Sequence, residues 1–115
     1  MRVTIPFLLL CLLFCTNCQR YNQARISTLF QQATDVATEI MPKLSQLEQE
    51  KNSISIQGRA LTELEIQKVD QINTILDRYA WFKENHQANQ NIKVQQKCLE
   101  TIQWIQKQIL EIERL

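Results

Sequence analysis

Residues 61–82, LTELEIQKVDQINTILDRYAWF, carry the clearest structural signal in the chain. Thr62-Glu63-Leu64-Glu65 is a capping box: the Thr62 hydroxyl accepts from the Glu65 amide while the Glu65 carboxylate reaches back to the Thr62 amide. Leu61 before the cap and Ile66 after it are spaced for a hydrophobic staple. Glu63 and Glu65 suit the positive end of a helix dipole. Ile66, Val69, Ile72, Ile75, Leu76, Tyr79 and Phe82 then form the apolar face of this helix. A second helix is expected from this start to about Glu84.

Downstream, the polar run 85–91 (NHQANQN) marks a connection. A third helix is expected from about Ile92 to the carboxyl end. Its seam is Cys98, Ile102, Ile105, Ile109 and Ile112, spaced four, three, four and three, and widened by Leu99, Leu110 and Leu115. Upstream, NSISIQGR (52–59) reads as a frayed helix end and loop, with Gly58 as the natural stop because glycine accepts the left-handed conformation that closes helices. Before it, apolar residues from Ile26 to Leu47 keep the helical period, and Ile26, Ala33, Ile40, Leu47, Ile54 and Leu61 are separated by strict sevens. A first helix is expected from about Gln23 to about Lys51. Pro42 removes a backbone donor within it, so a kink or break is expected there.

Helices of about 22 to 29 residues are roughly 33–44 Å long. Short connections make sequential neighbours antiparallel. The expected architecture is therefore all-α, an antiparallel up-down-up three-helix bundle with a Pro42 kink in helix 1. A helical hairpin that completes its core by dimerising is the alternative.

Residues 1–18, MRVTIPFLLLCLLFCTNC, have the layout of an export signal. Arg2 gives a positive start, and an apolar run of about 11 residues is too short to span a bilayer. Thr16 and Cys18 are small and one residue apart, so cleavage after Cys18 is expected, leaving a single helical domain at 19–115 with Gln19 at its start. The rival reading is a bacterial-type lipoprotein anchored through a lipidated Cys18. Asn17 and Cys15 fit the usual attachment pattern poorly. Of the four cysteines, Cys11, Cys15 and Cys18 lie in this segment and only Cys98 lies beyond it. No intrachain disulfide is then available to the processed chain. No Asn-x-Ser/Thr sequon occurs, so N-glycosylation is not expected.

The chain has 13 basic and 12 acidic residues. Loss of residues 1–18 removes only Arg2, leaving 12 of each and no net charge. A nucleic-acid partner is not expected from this balance, nor is charge-driven binding to an anionic membrane. Once the leader is cleaved, no stable membrane insertion is expected. One glycine and two prolines in 115 residues leave no Gly-rich phosphate loop.

No catalytic, cofactor-binding or metal-ligating constellation is expected. His86, the only histidine, reads as a solvent-exposed loop residue. Cys98 has two readings: a buried core thiol packed as a small hydrophobe, or an interchain disulfide. Trp81 and Trp104 either close the edges of the bundle or serve as contact aromatics for a partner. Sixteen glutamines lie between residues 19 and 115 and are interleaved with apolar positions, so they read as a neutral helix surface. Acidic pairs two residues apart, such as Glu63 and Glu65, do not share a helix face and read as solvated charges.

The expected function is that of a small secreted, extracellular helical protein acting by binding, as a signalling, humoral or reproductive-fluid factor, without catalysis. Its expected partner is a protein or receptor, and a homodimer is compatible with the narrow seam of helix 3. The alternatives are a lipoprotein or coiled-coil adaptor anchored through Cys18, and an amphipathic-helix carrier of lipid or small apolar ligands.

Overall fold

The computed structural model describes the backbone of residues 4–88 and 91–114 and the side chains of residues 23–88 and 91–114. Three helices account for nearly all of them: α1 (Thr4–Ser55), α2 (Glu63–Ala88) and α3 (Ile92–Glu113). The expected cleavage after Cys18, its alternative lipidation, and Leu115 concern side chains outside the described residues. Among the described residues, no helix is long and apolar enough to cross a membrane.

The helices pack against one another, and their cross-links fix the order. Glu50 of α1 meets Lys68 of α2, while Thr34 of α1 meets His86 of α2, so α2 runs back along α1. Arg78 of α2 lies over Trp104 of α3 and Lys97 of α3 over Trp81 of α2, so α3 turns back again. Glu39 and Lys43 of α1 face Gln106 and Glu113 of α3, as a parallel pair requires.

One core joins all three helices. Ala33, Ile40 and Leu44 of α1 pack with Ile72, Ile75 and Phe82 of α2 and with Cys98, Ile102, Ile105, Ile109 and Ile112 of α3. Each fully buried isoleucine contributes roughly 1.5–3 kcal/mol of transfer free energy. The seven-spaced positions Ala33, Ile40, Leu47 and Ile54 are all buried. The core closes within one chain, so the hairpin completed by dimerisation is not what forms.

The connections follow the local hydrogen-bonding rules. Gly58 adopts φ +64° between α1 and α2. Asn91 caps α3, its side chain accepting from the Lys93 amide at 2.9 Å.

Several expectations are corrected. Helix 1 begins at Thr4 rather than Gln23 and is continuous across Pro42, so there is no break. Pro42 and Thr38, whose carbonyl loses its donor, are both exposed, so water can take that bond. α2 runs about a turn beyond Glu84 and takes in Asn85, whose side chain donates to the Trp81 carbonyl at 2.8 Å. Ile66 and Leu110 are about half exposed instead of closing the core.

Candidate functional site

The α2 amino terminus holds a compact polar device. The Glu65 amide donates to Thr62 Oγ1 at 3.2 Å and the Thr62 amide donates to Glu65 Oε1 at 3.1 Å, which is the expected capping box. Arg59 adds a feature not apparent from spacing. Its two terminal nitrogens donate to the two Glu65 carboxylate oxygens, each at 2.8 Å, a bidentate fork. The hydrogen bond from Arg59, then that from the Thr62 amide, lowers the Glu65 pKa to about 2. Arg59 is exposed and Glu65 half-buried, and the arrangement ties the α1–α2 connection to the helix it precedes.

At the other end of the bundle lies His86, and here the sequence expectation was wrong. His86 is not an exposed loop residue: it sits in the last turns of α2 and is only 5% exposed. Its ring stacks on Phe30 of α1 at 4.0 Å between centroids and on Phe82 at 4.7 Å. Nε2 donates to the Phe30 carbonyl at 3.1 Å, with Thr34 Oγ1 at 3.3 Å. A carbonyl can only accept, so Nε2 carries the proton. Gln95 of α3, also buried, donates from Nε2 to the His86 carbonyl at 2.9 Å. The histidine therefore ties all three helices together. Aromatic faces cover both sides of its ring.

Cys98 lies in the core with no exposed surface, and burial raises its thiol pKa. A bond to another chain would require the bundle to open. Among the described residues, no group of His, Cys, Asp and Glu is arranged to hold a metal ion.

The two tryptophans lie on the α2/α3 face. Trp104 is 37% exposed and Trp81 is half-buried. Each carries a cation over its ring: Arg78 at 5.4 Å from the Trp104 centroid and Lys97 at 5.1 Å from that of Trp81. Beside Trp104 runs a surface groove of about 450 Å³ between α2 and α3. Its apolar lining comes from Ile66, Ile75 and Trp104, and its acidic lining from Glu63 and Asp70. A second depression of about 320 Å³ shares Trp104 and is bounded by Arg78, Lys97 and Glu100. Trp104 thus separates an apolar groove with an acidic edge from a predominantly basic hollow. This face can receive an apolar side chain flanked by charges of both signs.

Comparison with protein-family models, with curated proteins and with solved structures finds no match.

Proposed function

We propose that the chain is exported and acts by binding a protein partner, with the α2/α3 face around Trp104 and Trp81 as its contact surface. The observation that carries this reading is the half-exposed Trp104 at the edge of an apolar groove, beside the exposed Ile66. Rigid aromatic anchors with a local apolar pocket and a charged surround are the usual centre of protein interfaces. The leader-like segment 1–18 supports delivery outside the cytoplasm, followed by its removal. A local bend of α1 at Pro42 belongs to the same reading.

A membrane-anchored form is the second reading, and one observation favours it. With the chain starting at Cys18, α1 would run to Ser55 for about 57 Å at 1.5 Å per residue, against about 39 Å for α2, and α2 pairs with the carboxyl-terminal part of α1. The residues between Cys18 and Ala33, where the core begins, would then serve as a short stalk to the attachment.

Mass spectrometry of the chain from producing cells separates the two. A product starting at Gln19, free in the medium, supports secretion, and a diacylated Cys18 supports the anchor. Retention of residues 1–18 without lipid contradicts both. The contact surface is tested by capturing extracellular proteins on the tagged chain. Trp104→Ala should reduce capture at least tenfold, the usual effect of losing an aromatic anchor, while leaving thermal unfolding nearly unchanged. Undiminished capture would rule out the α2/α3 face.

A further inference from the structure

The α2/α3 groove is flanked by two rows of charge that the chain does not neutralise. On α2, Glu63, Asp70, Asp77 and Glu84 are separated by strict sevens, and all four are exposed. Glu63 and Asp70 line the groove, and the seven-residue repeat carries the row along the same rim for the length of the helix. On α3, Lys93, Glu100, Lys107 and Arg114 follow the same spacing and are likewise exposed. Glu100, the exception in charge, sits with Lys97 and Arg78 around the hollow beside Trp104. The ion pairs of the bundle are Lys43–Glu113, Arg59–Glu65 and Lys68–Glu50. Among the described residues, none of the seven rim charges other than Glu100 has an ion-pair partner within the chain.

We infer that this face docks on a second copy of the chain, about a two-fold axis running parallel to the helices. This rests on the proposed contact role of the face and names its occupant. A two-fold contact is isologous, so a surface can use it only if it complements itself. Rotation about an axis along the bundle sets the α2 of one copy over the α3 of the other without changing the level of any residue. That places each copy's acidic rim against Lys93, Lys107 and Arg114 of the other, with Glu100 as the one unfavourable position, level with the gap between Asp77 and Glu84. The register follows from Arg78 lying over Trp104 and Lys97 over Trp81. Carried along both antiparallel helices, it sets Lys107 at a level between Asp70 and Asp77. Arg114 then falls between Glu63 and Asp70, and Lys93 falls near Glu84. Every basic side chain of the rim thus meets a carboxylate of the other copy, twice over by symmetry. Trp104 provides the apolar centre, and Ile66 an apolar contact near one end.

The expected strength is modest. α3 is about 33 Å long and the bundle is 19 Å across. Such a face buries about 600 Å² per copy, at the low end of specific interfaces. Association in the micromolar range follows. Because the rims are exposed, it should weaken as salt is raised.

The test is sedimentation equilibrium of the purified chain across the micromolar range, with and without reductant. The chain should show a monomer–dimer equilibrium that reductant leaves unchanged. The double variant Asp70→Lys, Asp77→Lys should raise the dissociation constant at least tenfold, and so should Lys107→Glu, Arg114→Glu. Mixing the two variants should restore pairing as a heterodimer. All these positions are on the surface, so circular dichroism should remain that of the parent and confirm that the variants fold. A chain that stays monomeric, a dimer indifferent to both reversals, or a mixture that fails to recover would overturn the inference. If a monomeric chain still captures an extracellular protein through Trp104, the second copy is overturned while the contact role of the face stands. If the charge rows govern a dimer but capture ignores Trp104→Ala, the pairing is upheld and the proposed contact role falls.

Discussion

Residues 56–65 and residues 85–91 are the two places where the chain reverses, and each carries several polar side chains. In the first, every polar contact is local. Arg59 and Thr62 each bond Glu65 within six residues, and Arg59 and Thr62 stay exposed. In the second, His86 is drawn into the bundle while Gln87 and Asn91 stay exposed. His86 is gripped by Phe30, fifty-six residues earlier in the chain, and its carbonyl is bonded by Gln95 of α3. The difference shows that a polar segment is an exposed connection only when its hydrogen bonds can close locally. Where facing helices offer carbonyls and aromatic rings, a histidine can be buried with its donor satisfied.

The largest expected effect comes from the core that both ends share. Ile105→Asp buries an unpaired carboxylate at a position with no exposed surface. It should cost more than about 5 kcal/mol, enough to unfold a domain of this size. Circular dichroism should show the loss, and unchanged melting would contradict the core assignment. Next comes His86→Ala, which removes two stacked contacts and the bond to Phe30. It should destabilise by about 2–4 kcal/mol in urea unfolding. Thr62→Ala at the other end should cost only about 1 kcal/mol, as for other helix caps. If the two substitutions proved equal, the contrast between a locally closed and a tertiary connection would fail.

The smallest effect is electrostatic. The carboxyl of Glu65 is lowered from 4.5 to about 2 by Arg59 and the Thr62 amide. A lowered folded-state value means that Glu65 binds its proton more weakly in the folded chain than in the unfolded one. Its contribution is therefore intact above 4.5 and is lost as pH falls through about 2. Carboxyl NMR should find the Glu65 midpoint near 2, and Arg59→Gln should move it back towards the ordinary range. A wild-type midpoint at 4.5 would show that the clip is open in solution.

Most of the fold was legible because it rests on period and capping. The seam from Cys98 to Ile112 is buried at every position expected, and Thr62 through Glu65 form the expected box. Gly58 adopts the left-handed conformation its position suggested. What was not legible depended on residues distant in sequence. Nothing near His86 announces Phe30, and Asn85 and His86 carry no mark that separates a helix end from a loop. Ile66 looked like core by its apolar character, but nine residues before the buried Ile75 is two and a half turns, so it lies on the opposite side of α2. The candidate site was half visible. Trp104 and Trp81 stood out by size, whereas the charge rows were missed because acidic residues were compared two apart. The seven-residue step that identified the apolar seams would have found Glu63, Asp70, Asp77 and Glu84.

The central claim is that both ends of the bundle are closed by different means around one core. Amide hydrogen exchange, read residue by residue in the purified chain, tests it most directly. Amides of residues 82–88 should exchange as slowly as those around Ile72 and Ile105, while those of residues 56–60 should exchange fast. Equally fast exchange at both reversals would contradict it, because His86 would then lie outside the cooperative core.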